Sequence, residues 1–126
     1  MTKGTQVRQD GGIDGDAFAL RRGETYVSLN CLDLFEVGDR EKQLRLLRGV
    51  LRRKMTVRPR HRLSIINVGY TKRDAASHGY SLDFRHRPEA DDETHCGLYG
   101  FEYNDEVIQD LIAECVTDVV SAFEPL

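Results

Sequence analysis

Leu44, Leu47 and Leu51 recur at spacings of three and four residues, and Arg45, Arg48, Arg52 and Arg53 stand among them. This is the period of an α-helix with one apolar stripe and charged flanks. Leu46 and Val50 widen the stripe. A stripe of this kind cannot stay in water, so the chain must supply an apolar surface to cover it. The pattern predicts a helix over residues 40–54. Asp39 is placed to cap it, because its carboxylate can accept an orphan backbone N–H. Pro59 ends the pattern and turns the chain into an extended linker. Gly49 sits inside the helix at a cost of about 1 kcal/mol relative to Ala.

The covering surface has to come from strands. Residues 61–69 are rich in β-branched side chains and stop at a glycine. Residues 80–85 alternate, so that Tyr80, Leu82 and Phe84 share one face. Residues 95–100 form a further short strand, and residues 17–20 and 25–29 read as two strands that could pair across the turn at 21–24. Residues 31–35 suggest a helical turn closed by Gly38, and residues 71–78 suggest one or two more. Asn104 or Asp105 caps a last helix whose apolar side is Val107, Ile108, Leu111, Ile112, Cys115, Val116 and Val119. The expected fold is α+β: residues 13–126 as a single small domain in the order ββαβββα. It would hold a mainly antiparallel sheet of about five strands, with two main helices packed on one face. Residues 1–12 are polar, end in Gly11-Gly12 and read as a flexible tail.

A chain of 126 residues fits one domain and can bury a core. With 40% hydrophobic and 31% charged residues it is globular rather than disordered. It has no apolar run near the ~20 residues of a membrane span, so no membrane partner is expected. The first residues hold no apolar stretch and do not read as a secretory signal. Cys31, Cys96 and Cys115 are odd in number and widely spaced, which fits free thiols in a reducing cytoplasm.

Charge is sorted along the chain. Ten of the eighteen Lys and Arg residues fall between Arg40 and Arg62, and none follows Arg87, whereas eleven Asp and Glu residues follow, from Glu89 to Glu124. The net charge of -3 therefore hides a basic middle and an acidic end. Arg outnumbers Lys in the basic segment, and its planar fork suits carboxylate and phosphate. Arg45, Arg48, Arg52, Arg53, Lys54, Arg58, Arg60 and Arg62 are the candidate partner-binding residues. The reading ranked first is a non-enzymatic interaction or assembly module that binds an acidic protein surface or itself. The second is an accessory protein that binds nucleic acid through the same segment, although no helix-turn-helix, RNA-recognition or zinc-finger pattern accompanies it.

A third reading is a small metal-dependent hydrolase. His78, His86 and His95 stand near Glu89, Asp91, Asp92 and Glu93, and imidazole with carboxylate can hold Zn, Mn or Fe. Their spacing matches no ligand motif, so no metal ligand is assigned and these histidines are only the nearest candidates. His95 and Cys96 are adjacent on a strand, point to opposite faces and cannot form a base–nucleophile pair. Asp14-Gly15-Asp16 is turn chemistry. The glycines Gly97 and Gly100 at a strand end either let a backbone or ligand approach closely or mark a bulge or turn, and they do not form a phosphate-cradling loop. Neither a cofactor nor a catalytic residue is assigned.

Overall fold

The computed structural model describes residues 1–2, 6–7 and 12–123. Among these the elements in chain order are β1 (Val27–Asn30), α1 (Arg40–Lys54), β2 (Arg62–Ile66), α2 (Val68–Ser77), β3 (Asp83–His86), β4 (His95–Tyr99), α3 (Glu106–Glu114) and β5 (Val116–Ser121). The α+β class holds, with three helices and five antiparallel strands. The strands form two sheets rather than one: a three-stranded sheet in the order β1-β4-β3 and a two-stranded ribbon of β2 with β5.

α1 forms where its pattern places it. The Asp39 carboxylate accepts the Glu41 N–H at 2.9 Å, and Arg52, Arg53 and Lys54 occupy the last turn, where positive charge suits the helix dipole. Its buried residues Leu44, Leu47 and Leu51 pack on Leu63 and Ala122, with Ile65 and Val120 alongside. The ribbon therefore covers the leucine stripe. β-pleating turns the alternate residues of the ribbon the other way. Ile66, Val116 and Val119 join a second core built on Phe18, Leu82, Leu98, Ile108, Leu111 and Ile112. A register shift between Ile65 and Ile66 marks the point where the ribbon bends between the two cores.

Several expected elements differ. Residues 17–20 do not pair with 25–29. Gly15–Phe18 is a 3-10 helix laid against α3, and β1 pairs with β4 instead. The reason is a close approach to α3: Gly15 lies so near Asp110 that a Cβ would collide with its carboxylate, and Phe18 beyond it is buried in the core. The strand expected to run to Gly69 stops at Ile66, because the Asn67 carboxamide accepts the Tyr70 N–H at 2.9 Å and starts α2 there. The last helix ends at Glu114, and Val116 and Val119 belong to β5. Its β-branched run Val116, Thr117, Val119, Val120 prefers the pleated surface of the ribbon.

Of the tail expected over 1–12, residues 3–5 and 8–11 lie outside the described set. Thr2 is buried, exchanges backbone hydrogen bonds with Arg62 at 2.8 Å and extends the ribbon, and Val7 bridges Ile13. No helix among the described residues is long and apolar enough to cross a membrane.

Candidate functional site

The basic segment divides into an outward set and an inward set. With Leu44, Leu47, Val50 and Leu51 buried, a 100° step per residue turns Lys42, Arg45, Arg52 and Arg53 to the opposite side of α1, and all four are exposed. Arg58 and Arg60 are exposed in the turn that follows. None of these six cations has a carboxylate partner among the described residues. Gly49 lies in the middle of this face, and the guanidinium of Arg53 passes over it, 3.6 Å from where a Cβ would stand. Leu46 is 46% exposed beside them.

Three of the eight candidate residues are held by the molecule itself. Arg48 donates through Nε to the Ser121 carbonyl at 2.9 Å. Arg62 lies in β2 and donates to the carbonyls of Pro59 and His61. Lys54 turns inward, donating to Glu89 Oε1 at 2.8 Å and to Asp92 Oδ2 at 2.9 Å.

That last contact ties the end of α1 to the loop between β3 and β4. Asp92 is a buried carboxylate, and it is fully hydrogen-bonded. It accepts from Asn30 Nδ2 at 2.9 Å, from Thr94 Oγ1 at 3.3 Å and from Lys54. Burial pushes the Asp92 carboxyl up, but the Lys54 and Asn30 hydrogen bonds outweigh it and hold it below the usual carboxylate value. The hydrogen bond from Lys54 likewise lowers Glu89. Partial burial opposes the charge on Lys54, yet its two carboxylates raise it overall.

The same loop borders the outer face of the three-stranded sheet. The register sets Ser28 and Arg85 opposite Gly97, and Asp83 opposite Tyr99, so alternation puts Tyr26, Arg85, Arg87, His95, Gly97 and Tyr99 on one face. Leu98 and Phe84 take the other face, in the core. Tyr26 and Tyr99 lie 5.2 Å apart across Gly97, with ring planes 35° from parallel. A Cβ on Gly97 would stand 2.8 Å from Tyr26 Cδ2 and 2.9 Å from Tyr99 Cε1, so only glycine lets both rings lie over β4. Arg85 stacks 4.2 Å above the Tyr99 ring, and Arg87 stacks 4.8 Å from the Tyr26 centroid while donating to the Tyr99 hydroxyl at 2.8 Å. A polar cleft of about 240 Å³ opens at this edge, lined by Tyr26, His86, Arg87, Pro88, Glu89 and His95.

The three histidines do not form one cluster. His78 caps α2 and bonds the Asp74 carbonyl at 2.9 Å. His86 donates through Nε2 to the Glu93 carbonyl at 2.7 Å, and the register sets it on the sheet face opposite to His95. His95 is buried and donates Nδ1–H to the Arg87 carbonyl at 2.9 Å; in the neutral ring this makes Nε2 the acceptor. Its nearest carboxylate is Glu89, 3.9 Å away. Among the described residues no group of three or more His, Cys, Asp or Glu side chains is arranged to hold a metal ion. Burial raises the Cys96 thiol, against nucleophilic use.

The Tyr–Arg face is the feature that sequence reasoning missed. Its signal was present in the alternation of Arg85 and Arg87 and of Gly97 and Tyr99. What could not be read was that β1 adds Tyr26 to the same face, because that requires the β1–β4 pairing. No protein-family model matches the chain, and neither does any curated protein or solved structure.

Proposed function

We propose that the protein is a non-enzymatic assembly module, in which the outer face of α1 seats the acidic face of α3 from a second copy. The observation that carries this reading is a pair of complementary charged faces without opposite-charge partners among the described residues. Lys42, Arg45, Arg52 and Arg53 on α1 have no carboxylate partner among the described residues. Glu106, Asp110 and Glu114 share one exposed side of α3 and have no cationic partner there either. Each face carries one exposed aliphatic residue beside its charges, Leu46 at 46% and Val107 at 64%. Each of the two stands at the margin of its charged face, where it would be covered when the two faces meet. The charges steer the encounter and fix its orientation, while burial of the two aliphatic side chains adds affinity.

Sedimentation velocity tests this. The wild-type chain should gain mass with concentration at low salt and return to monomer as ionic strength rises to about 0.5 M, where the Debye length falls to a few ångströms. Arg52→Glu with Arg53→Glu should stay monomeric. Mixing that variant with Glu106→Lys/Glu114→Lys should restore association, since the faces then complement each other with signs exchanged. A wild-type chain that is monomeric at every concentration and salt overturns the reading. If that monomer bound duplex DNA or RNA with an affinity falling steeply with salt, the Arg45–Arg60 surface would be a nucleic-acid contact instead.

A further inference from the structure

We infer that the outer face of the three-stranded sheet is a binding site for single-stranded nucleic acid, with bases stacking on the Tyr26–Tyr99–Arg85–Arg87 layer and a phosphate held by Arg87. This site is separate from the α1 face and does not depend on the assembly proposed above.

The first reason is that the layer is held ready for a flat ligand. Two tyrosine rings lie across β4 only because position 97 has no side chain, and each carries a guanidinium plane. The Arg85 guanidinium lies over the Tyr99 ring, and its side chain is still 58% exposed. Aromatic rings and Arg planes are the two surfaces on which unpaired bases stack, and stacking is tolerant of sequence because every base has a π face.

The second reason is charge. Arg85 is matched by Asp83 at 2.6 Å, but the Arg87 side chain meets two tyrosines, Tyr99 and Tyr26, and has no carboxylate partner among the described residues. The bond to Tyr99 and the contact with Tyr26 hold the exposed Arg87 side chain at this face, where its fork can donate to a phosphate oxygen. His95 Nε2, free of any hydrogen bond among the described residues, adds an acceptor in the adjoining cleft for a base N–H or a ribose hydroxyl.

The third reason is size. A cleft of about 240 Å³ is smaller than the roughly 300–1,000 Å³ that encloses a free small molecule. It takes one ring or one sugar and leaves the rest of the ligand on the open sheet, as one residue of a strand would lie. The platform also lacks a run of cations, so the affinity should depend weakly on salt.

The test is fluorescence anisotropy of the full chain with labelled oligouridylate and oligothymidylate, with uridine monophosphate as competitor. Both oligomers should bind, with a log–log salt slope of about -0.7, the value for one phosphate contact on a single strand. Tyr99→Ala and Arg87→Ala should each weaken binding about tenfold, whereas Tyr99→Phe, which keeps the ring, should lose less. Gly97→Ala should weaken it by displacing both rings, and circular dichroism of each variant reports whether it folds. Arg52→Glu/Arg53→Glu should leave oligomer binding within about twofold at the same salt. The inference is overturned if neither oligomer binds, if folded Tyr99→Ala and Arg87→Ala bind as wild type does, or if the monophosphate competes as well as the oligomers. Loss of binding on reversal of the α1 charges alone would also overturn it.

Discussion

Removing the Asp92 carboxylate would leave Lys54, Asn30 and Thr94 around a buried hole, with three donors deprived of their acceptor. Asp92→Ala should therefore lower the unfolding free energy by about 2–4 kcal/mol, read from urea denaturation. Asp92→Asn should recover part of that, since an amide oxygen still accepts. The same site fixes a pH dependence. The Asp92 and Glu89 carboxyls are depressed in the folded chain. Their contribution is complete above the unfolded carboxylate range of about 3.9–4.3, and it is lost as pH falls through the lower folded values. Lys54 is raised, so its contribution is complete below its unfolded value of about 10.4 and is lost as pH climbs through the folded one. Urea midpoints should fall at both ends, and Asp92→Asn should flatten the acid limb. An unchanged acid limb in that variant would show that Asp92 is not the group responsible. None of this was legible in the sequence. Four acids in a row of five read as a solvated loop, and nothing local says that Asp92 turns inward. The turn in which Glu89 and Asp92 exchange backbone hydrogen bonds, at 2.9 and 3.1 Å, is what aims it at Lys54.

At the scale of single elements, α1 keeps a defect. Gly49 lies on its outer face, where a Cβ would meet only the Arg53 guanidinium at 3.6 Å, an ordinary contact. Gly49→Ala should stabilise the chain by about 0.5–1 kcal/mol, because it removes the helix-interior cost of glycine and adds no clash. A loss of stability, measured by thermal or urea unfolding, would mean that the glycine serves a close approach. α1 was legible, with its start at Arg40 and its end near Lys54, because its cap and its stripe agree and Pro59 follows. The end of α3 was not. Val116 and Val119 continue a helical spacing from Ile108 and Ile112, and a β-branched run after a helix fits both periods over so short a stretch. What decides it is the partner strand, since Leu63 and Ser64 sit opposite Val120 and Val119. The 3-10 helix at Gly15–Phe18 was missed for a similar reason. Its apolar residues suit a strand, and only α3 beside it makes burial of Phe18 and Leu20 possible in another form.

At the scale of the molecule, two cores share one ribbon. Leu63, Ile65, Val120 and Ala122 serve the α1 side, while Ile66, Val116 and Val119 serve the side of α2, α3 and the three-stranded sheet. A strand pair that belongs to both cores cannot be lost from one and kept in the other. Unfolding should be a single cooperative step. Near-UV circular dichroism, which reports on Tyr26 and Tyr99 in the sheet, should give the same urea midpoint as far-UV circular dichroism, which includes α1. Separated midpoints would show that the α1 layer melts alone. The overall class was legible because amphipathic helices need a sheet to cover them. The division into two sheets was not, since it follows from pairings between residues far apart in the chain, such as Arg62 with Ser121. That separation also has a temporal meaning. As the nascent chain leaves the ribosome, α1 emerges before half of the cover for its leucines, because β5 follows it only after β2, α2, β3, β4 and α3. Until residues 116–122 are out, the stripe is a sticky surface that a chaperone would recognise.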